Sequence, residues 1–304
     1  MTNIFKKYWV KLFQKNKYLD IKRENRSKKT LDIYNQNIKN EIEKIENRLK
    51  NKKTLNFAHA GHMGDLIYSL SVVKELSKSY ICNFFIVINK KVEQNYLDHP
   101  SGNVFINDRA AKLLLPLLEK QEFLNTVKIY NNEEIDIDFD LFRKIPINLN
   151  FHSTRWFSHL IGVPIKMSEK FLNVGENNIA KNKIVILRSK RYRNPFINYQ
   201  FLNQKKNLIF IGLKDEFEDL KKDVPNLDFY DCKDFLEMAE IINSAKFFIG
   251  NQSLAFAIAE ALKVDRLLEA SPESPFIFPI GGSGYDFYHQ IHFEKYFKIL
   301  DSKN

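Results

Sequence analysis

Apolar and polar positions along the first half of the chain body alternate between two kinds of pattern. Short apolar runs rich in β-branched and aromatic residues predict strands, and amphipathic stretches with helical spacing predict helices. The predicted strands are 55–60, 82–89 and 126–130, and the predicted helices are 66–78, 110–119 and 151–160. A polar stretch at 173–182 follows, with few apolar residues, and it predicts a linker.

The second half of the body restarts the same alternation. Its predicted strands are 183–189, 207–213, 227–232, 246–251 and 265–270, and its predicted helices are 215–223, 234–244 and 254–262. Alternating strands and helices predict parallel sheets with helices on both faces. The sequence therefore predicts an α/β protein with two Rossmann-like domains facing a cleft. Ligands of such sheets bind at the carboxyl ends of the strands.

A helical extension precedes the body. In residues 3–14, six apolar side chains share one face and lysines occupy the others: Ile4, Phe5, Tyr8, Trp9, Leu12 and Phe13. This pattern predicts a basic amphipathic helix that lies on an anionic membrane surface, or alternatively packs on the protein or a partner. Residues 31–49 carry apolar positions at steps of three and four, which indicate either a short coiled coil or a helix packed on its own domain.

Charge separates this extension from the rest of the chain. The net charge is +10, and residues 1–53 carry 16 lysines and arginines against 6 acids, so the body is close to neutral. This distribution disfavours specific nucleic-acid binding by the body. Two distant cysteines, together with no recognised signal peptide or membrane span, predict a cytoplasmic protein, with a peripheral place at the inner membrane face if the extension binds there.

The most informative segment is the loop that follows the first predicted strand. Gly61 and Gly64 permit a sharp turn and a close approach of the backbone to a ligand. Asp65 lies at the predicted start of the next helix, where its carboxylate can cap backbone N–H groups or act as a general base. His59 and His62 flank the glycines and are candidates to contact an acceptor or a phosphate.

Two segments resemble the bacterial ADP-heptose:lipopolysaccharide heptosyltransferases, which are GT-B glycosyltransferases of family 9. They are HMGDLIYSLSVVKEL at 62–76 and DFLEMAEIINSAKFFIGNQSLAFAIAEALKV at 234–264. The resemblance in order and spacing covers about 54–285. It implies a GT-B fold and a metal-independent transferase that moves a sugar from a nucleotide-sugar to a glycan or glycolipid acceptor of the cell envelope. No cofactor is expected beyond the nucleotide-sugar co-substrate.

The resemblance also implies roles for individual residues. Asp65 takes the position of the family's proposed general base. The candidate donor ligands lie at the carboxyl ends of the second set of strands: Arg188, Ser189 and Arg193 for the diphosphate, Asp215 and Glu216 for the ribose, and Asn251, Gln252 and Ser253 at the start of a helix that offers N–H groups to an anion. No cluster with metal-ligand spacing is found in the sequence.

The chain departs from the family pattern at one place. An Asp-Ser/Thr-Gly stretch and a His are usual before the last helix, but this chain has Gly250-Asn251-Gln252-Ser253. The family's donor, ADP-heptose, is therefore not assumed to be the donor of this chain. Two alternatives stay open: a non-catalytic GT-B-like module that binds a nucleotide or glycan or acts as a scaffold, and a nucleotide-sugar epimerase.

The predicted organisation has four parts. They are a basic helical extension at 1–53, an acceptor domain at 54–175, a donor domain at 183–285, and a C-terminal helix at 286–304 that packs back. The glycine-rich loop at 281–284 is a candidate to cover the cleft.

Overall fold

The computed structural model describes residues 4–92, 99–145, 152–274 and 276–303, with side chains from residue 8 onward. The predicted contributions of Ile4 and Phe5 to an apolar face, and the predicted helix start at 151, lie outside this description. The fold is α/β, with two separate parallel sheets. The elements follow the predicted alternation closely along most of the chain.

The first sheet has four parallel strands in the order β3-β2-β1-β4. The strands are β1 Thr54–His59, β2 Ile81–Ile86, β3 Thr126–Ile129 and β4 Ile137–Asp138. Side chains of β1 and β2 are buried at alternating and then consecutive positions, because helices cover the sheet.

The second sheet has six parallel strands in the order β10-β9-β8-β5-β6-β7. The strands are β5 Ile184–Leu187, β6 Leu208–Ile211, β7 Asp228–Tyr230, β8 Phe247–Asn251, β9 Arg266–Glu269 and β10 Gly284–Phe287. Counted within the sheet, this is the order 3-2-1-4-5-6 of the Rossmann fold. The four inner strands are buried at every position, as both faces are covered.

Ten α-helices are described. They are α1 Ile4–Phe13, α2 Lys15–Asn37, α3 Lys39–Asn51, α4 Met63–Leu76, α5 Asp108–Glu119, α6 Ser153–Ile161, α7 Lys214–Lys221, α8 Phe235–Asn243, α9 Leu254–Leu262 and α10 Gln290–Asp301. Helix α4 of the first unit packs against α9 of the second, and α5 packs against α8. One hydrophobic core consequently runs through both units, and a second core lies on the other face of the second sheet.

The strand orders place a switch point in each sheet. The first lies between β1 and β4, and the second lies between β5 and β8. At such points the chain leaves neighbouring strands in opposite directions, so a crevice opens at their carboxyl ends. The predicted fold class, two Rossmann-like units of the GT-B type with a helical N-terminal extension, is confirmed by this architecture.

The N-terminal extension divides into a docked part and an exposed part. Ile38 and Ile45 are buried in the first core, and Tyr80 Oη donates to the carbonyl of Leu49 at 2.6 Å. Helix α3 is therefore packed on its own domain, which is one of the two predicted alternatives. Helix α2 buries no residue over its 23 positions. Because Ile38 interrupts the helix between α2 and α3, the apolar spacing of 31–49 does not form one continuous coiled-coil strand.

Two parts of the second unit differ from the predicted organisation. The boundary at 285/286 falls inside β10, and Phe293, Phe297 and Leu300 of α10 are buried in the second core. Strand β10 and α10 thus belong together. The predicted cover formed by 281–284 is wrong, because this loop precedes β10 at the amino ends of the strands, opposite the carboxyl ends.

The position of the glycine-rich loop has a physical cause. Arg266 is fully buried and donates to the carbonyls of Ile280 and Gly281, while Glu260 accepts from Arg266 and from the Ile280 N–H. A Cβ atom on Gly281 would lie 2.8 Å from the Cβ of Ser168. The loop is therefore held tightly against the body.

Candidate functional site

Asp65 lies in the first turn of α4, just beyond the carboxyl end of β1. The helix begins at Met63, its N-cap residue is His62, and no side chain makes a capping hydrogen bond there. The proposed capping role of Asp65 is thus not seen. About 19% of its side chain is exposed, and burial raises the pKa of Asp65 to about 6, against the opposing effect of the Arg143 charge.

Arg143 is the ion-pair partner of Asp65. Its Nη2 atom lies 3.5 Å from Asp65 Oδ2, and its Nη1 atom donates to the carboxylate of Asp140. Arg143 and Asp140 belong to a 3₁₀ turn at Phe139–Lys144 that directly follows β4. The Asp65–Arg143 pair therefore bridges the switch point of the first sheet.

His59 is a buried residue beside this pair. Its ring contacts Phe139 and Phe157, and its Nδ1 atom accepts a hydrogen bond of 2.8 Å from the Gly61 N–H. Burial lowers the pKa of His59 to about 3. The ring is consequently neutral and fixes the turn, and its full burial leaves it no surface toward an acceptor.

Gly61 is required by close packing. A Cβ atom at this position would lie 2.6 Å from His59 Cε1 and 2.7 Å from Arg143 Nη2. Real Cβ atoms do not approach other atoms so closely, so the space is reserved for the arginine and the histidine. The predicted close approach of the backbone is seen, but its partners are these side chains.

His62 faces the second unit. Its ring lies 5.0 Å from the ring of His99 and 4.9 Å from that of Phe105, measured between centroids. Burial, followed by the neighbouring charges of His99 and Arg191, lowers the pKa of His62 to about 3. Because Arg191 belongs to the loop after β5, loops from the two sheets meet here. We call this meeting place the junction.

Helix starts from both units also meet at the junction. A Cβ atom on Gly64 would lie 3.9 Å from Ala257 Cβ and 4.0 Å from the Ser253 carbonyl oxygen. Ser253 is the N-cap residue of α9, and its Oγ atom accepts from the Phe256 N–H at 3.3 Å. The first turns of α4 and α9 are thus neighbours, and Asp65 lies in one of them.

Asn251 holds the loop after β5 in place. Its amide nitrogen donates to the carbonyls of Ser189 and Arg191 at 2.9 and 2.6 Å, and its Oδ1 atom accepts from the Ser189 N–H at 2.9 Å and from Ser189 Oγ at 3.2 Å. These bonds join the end of β8 to the loop after β5, at the switch point of the second sheet. The amide is fully used by the protein, so its role as a donor ligand stays an untested prediction that the geometry disfavours.

Arg188 is held by a buried ion pair. Its Nε and Nη2 atoms donate to the two carboxylate oxygens of Glu269 at 2.7 and 2.8 Å, and its guanidinium lies 4.8 Å from the centre of the Tyr199 ring. The loop is fixed further by the Asn194 N–H, which donates to Glu269. This bidentate arrangement assigns Arg188 a structural contact, whereas the predicted diphosphate contact remains untested.

The other predicted donor residues are tied to one another around the same loop. Arg193 pairs with Asp219, and its Nε atom donates to the Ser189 carbonyl at 3.0 Å. The Lys190 side chain pairs with Asp215, and the Lys190 N–H donates to Glu216 at 3.2 Å. Burial raises the pKa of Glu216, and the Lys190 contact lowers that of Asp215. The structure brings these residues together, but their side chains are engaged in contacts with one another inside the chain.

Gln252 is different, because its Oε1 atom is buried and has no hydrogen-bond partner within the part of the chain that the structure describes. Buried polar atoms are almost always paired, so an unpaired one at a loop calls for an explanation. Gln252 lies between the end of β8 and the N-cap of α9. It is therefore placed to accept a hydrogen bond from a ligand at the junction.

No group of His, Cys, Asp and Glu among the described residues has the arrangement of a metal site. Two grooves of about 480 and 430 Å³ lie on α2 and at the α2–α3 boundary, and they share no residue with the junction. The junction is consequently defined by its chemistry, by the switch points and by the helix starts. None of the described helices is long and apolar enough to cross a membrane.

Comparison with solved structures gives relatives of low identity. A glycosyl transferase family 9 structure from Veillonella parvula DSM 2008 is 15% identical, covering 77% of this chain and 86% of that chain with a TM-score of 0.48. E. coli ADP-heptose lps heptosyltransferase II is 10% identical, covering 81% and 98%, with a TM-score of 0.49. E. coli heptosyltransferase WaaC with ADP is 11% identical, covering 81% and 99%, with a TM-score of 0.46.

These comparisons name the family that the two sequence segments resemble. Each TM-score is below 0.5, so the fold rests on the strand orders and helix packing described above. No protein-family model and no curated protein matches the chain.

Sequence reasoning missed two arginines at the site. Arg143 follows β4, which has only two residues and gives no periodic signal. Arg191 lies in the segment RSKRYRN at 188–194, where the sequence analysis selected only Arg188, Ser189 and Arg193 as candidate ligands. Of the described arginines in that loop, Arg191 alone is paired with no carboxylate. The absence of an acid at a matching position cannot be read from the sequence.

Proposed function

We propose that this protein is a glycosyltransferase that moves a sugar from a nucleotide-sugar to an acceptor hydroxyl at the junction, with Asp65 as the general base. The observation that carries the proposal is the state of Asp65. Among the described residues its carboxylate has one ion pair, at 3.5 Å, and no hydrogen bond. An under-partnered carboxylate of raised pKa at a switch point is typical of a reactive group.

The chemistry of transfer suits this carboxylate. A base accepts the proton of the acceptor hydroxyl as its oxygen bonds to the anomeric carbon, and the nucleoside diphosphate leaves with its bonding electrons. Asp65, with a pKa of about 6, is mostly ionised at neutral pH, so it can accept that proton. The acceptor is expected to be a glycan or a lipid-linked sugar, in keeping with the resemblance of 62–76.

The donor is expected on the facing side of the junction. A leaving diphosphate needs positive charge and N–H donors. Arg191 supplies a guanidinium that meets no carboxylate among the described residues, the first turn of α9 supplies N–H groups, and Gln252 Oε1 supplies an acceptor for a sugar or ribose hydroxyl. Gln252 and the start of α9 belong to the predicted donor set, and Arg191 is added to them. Arg188, Arg193 and Asn251 are engaged in contacts within the protein.

Nucleotide binding is the first test. The melting temperature of the purified protein is measured with ADP, GDP, UDP, CMP and the matching nucleotide-sugars. A ligand at a hundredfold excess over its dissociation constant stabilises the native state by about 3 kcal/mol. One selective shift, abolished by Arg191→Met and kept by Arg193→Met from the same loop, supports the donor site. No shift with any nucleotide contradicts it.

Catalysis is tested separately through Asp65. With the selected nucleotide-sugar, Asp65→Asn is expected to keep the nucleotide-induced melting shift and to lose transfer by a factor of roughly 10² to 10⁴. Full transfer by a folded Asp65→Asn variant would refute its role as the base. Metal independence remains a prediction, which is checked by comparing transfer with and without a chelator.

The second candidate is a non-catalytic nucleotide- or glycan-binding module. It is favoured by Asn251, which stands where the resembled family has an acid and is committed to holding the loop. This module would show the same melting shift without any transfer or hydrolysis of the nucleotide-sugar. A nucleotide-sugar epimerase would instead convert its substrate with no acceptor present.

We infer that helix α1 docks on an anionic membrane, where lipid-linked acceptors are found. Its described face exposes Tyr8, Trp9, Leu12 and Phe13 by 61, 53, 72 and 72%. Apolar side chains exposed together on a basic segment are typical of interfacial helices. Charge complementarity favours an anionic lipid surface over a neutral one, because residues 1–53 carry the whole net charge of +10.

Vesicle flotation tests this docking. The protein is expected to float with vesicles containing anionic lipid and to stay behind with zwitterionic vesicles or at high salt. A Trp9→Ser/Phe13→Ser variant should lose flotation with an unchanged melting temperature. If the variant floats as well as the wild type, the inference is contradicted. It is also contradicted if the protein forms an oligomer without lipid and this variant dissociates it, because the apolar face would then bind a second copy of the chain.

A further inference from the structure

The guanidinium of Arg143 is stacked between two aromatic rings, one on each face. The Cζ atom lies 4.6 Å from the centre of the Phe105 ring and 4.3 Å from that of Phe142. Stacking between two aromatic rings fixes the plane of the group and contributes cation–π attraction. The side chain is therefore presented in one orientation at the carboxyl end of β4.

The edge of the same guanidinium is anchored by a second charge pair. Asp140, which is 5% exposed, accepts from Arg143 and from Lys90, and these charges lower the pKa of Asp140 against the effect of burial. Lys90 follows β2, so three strand ends of the first sheet contribute to the arrangement. Gly61 leaves the space that the guanidinium needs.

The remaining edge faces Asp65. Since the described residues offer the Asp65 carboxylate no hydrogen bond, the Arg143 contact is what orients it. We propose that Arg143 is a positioning residue that, seated between Phe105 and Phe142 and tied to Asp140, holds the Asp65 carboxylate ionised and directed into the junction. This inference rests on the proposed role of Asp65 as the base.

The surrounding charges determine the direction of the effect. Burial raises the pKa of Asp65, the Arg143 charge lowers it and the Asp140 charge raises it, and the net value is about 6. His59 and His62, on the preceding loop, have lowered pKa values and are neutral at pH 7, and Tyr68 follows on α4. From α9, Ser253 and Ala257 contribute no charge, and Glu260 lies one to two turns further on. Removing Arg143 should thus move the pKa of Asp65 upward.

Direct titration of Asp65 tests the proposal without an activity assay. The ¹³C carboxyl resonance of Asp65, assigned by its loss in Asp65→Asn, is followed against pH in the wild type, Arg143→Met and Arg143→Lys. We expect Arg143→Met to raise the pKa by about one unit or more, a tenfold loss of the ionised form at low pH. Arg143→Lys should restore most of the shift. An unchanged titration in Arg143→Met overturns the proposal.

The pH profile of transfer provides a second readout. In Arg143→Met the acid limb of kcat/KM is expected to move to higher pH by the same amount, so the loss is larger at pH 6 than at pH 8.5. An equal loss at every pH indicates a purely structural role and overturns the proposal. If Arg143→Met does not fold, Arg143→Gln and Arg143→Lys are used for the same comparison.

The two hypotheses fail in distinguishable ways. If Asp65 titrates as expected but no nucleotide-sugar is turned over, the transferase function fails and the positioning contact stands. If transfer depends on Asp65 but its titration ignores Arg143, the positioning role fails alone. Arg193→Met is the control for removing a partly exposed arginine, and it should leave the Asp65 titration unchanged.

Discussion

Gly61 and Gly64 are two glycines of one loop whose surroundings differ. A Cβ atom on Gly61 would lie under 3.0 Å from two groups, whereas one on Gly64 would make ordinary contacts at 3.9 and 4.0 Å. Gly61→Ala is expected to destabilise the protein by about 1–3 kcal/mol, since Arg143 or His59 must shift. Gly64→Ala, within α4, should be neutral or stabilising by up to about 1 kcal/mol.

Urea unfolding of the two glycine variants measures this difference. The midpoint should fall for Gly61→Ala and stay level or rise for Gly64→Ala, with similar slopes. Equal midpoints would show that the space beside Gly61 is not reserved by its neighbours.

Arg188 and Arg193 form a second matched pair of residues. Arg188 shares a buried ion pair with Glu269, whose side chain is 0% exposed, while the pair of Arg193 with Asp219 is partly exposed. Removing one partner of a buried pair leaves an uncompensated charge, so Arg188→Met is expected to cost about 3–5 kcal/mol. Arg193→Met should cost less than about 1 kcal/mol.

Chemical unfolding at pH 7 separates these two arginines. A small effect of Arg188→Met, combined with loss of nucleotide binding, would return Arg188 to its predicted role as a donor ligand. Both variants keep the aliphatic part of the side chain, so the comparison isolates the charge.

At the scale of elements, long apolar runs were predicted well and short ones were missed. The apolar run KFFIGN identified β8, and helix α9 was predicted at its observed bounds, 254–262. Strand β4 consists of Ile137 and Asp138 alone, and β10 starts at a glycine beside a glycine-rich loop, so neither carries enough residues for a period. Their places are set by the neighbouring strands β1 and β9.

The candidate site shows the same division. Asp65 was identified from its loop and helix, which are local in the sequence. Arg143 and Asp65 are 78 positions apart, and Asn251 contacts Ser189 from 62 positions away, so their partnerships depend on strand order. A local pattern cannot say whether an arginine in RSKRYRN meets an acid or remains unpaired.

The helical extension offers a prediction at this scale. Helix α2 buries no residue, whereas Ile38 and Ile45 are buried in the first core. Removal of residues 1–37 is therefore expected to leave the unfolding free energy of the body within about 0.5 kcal/mol. Ile45→Ala in the full chain should cost about 2–5 kcal/mol because it leaves a cavity.

Both changes are followed by chemical denaturation of the purified proteins. A large loss of stability on removal of 1–37 would mean that α1 or α2 packs on the body in solution. That result would also remove the exposed face on which membrane docking depends.

At the scale of the whole molecule, buried histidines link stability to acid. Burial lowers the pKa values of His59, His62 and His152 to about 3, whereas an unfolded histidine has a pKa near 6.5. Below that pH the unfolded chain binds more protons than the folded one, so stability falls as pH falls. At pH 5 each histidine costs about 2 kcal/mol, or roughly 6 kcal/mol for the three.

Asp65 acts in the opposite direction. Its folded pKa of about 6 lies above the ordinary value of 3.8, so the cost of its buried charge is present above pH 6 and is relieved as pH falls through that value. Between pH 7 and 5 this relief returns about 1–2 kcal/mol. For these four groups the histidines win, and together they are expected to contribute a net loss of roughly 4–5 kcal/mol between pH 7 and 5.

Denaturant unfolding between pH 7.5 and 4.5 measures the balance. Asp65→Asn should be more stable than the wild type at pH 7.5, by about 2–3 kcal/mol, and this advantage should shrink toward pH 4.5 because both forms are then neutral. The acid loss itself should persist at high salt, since buried groups are screened less than exposed ones. If the free energy of unfolding does not change from pH 7.5 to 5, the histidines are protonated in the folded protein. The assignment of His59 as a neutral ring that accepts from the Gly61 N–H would then have to be abandoned.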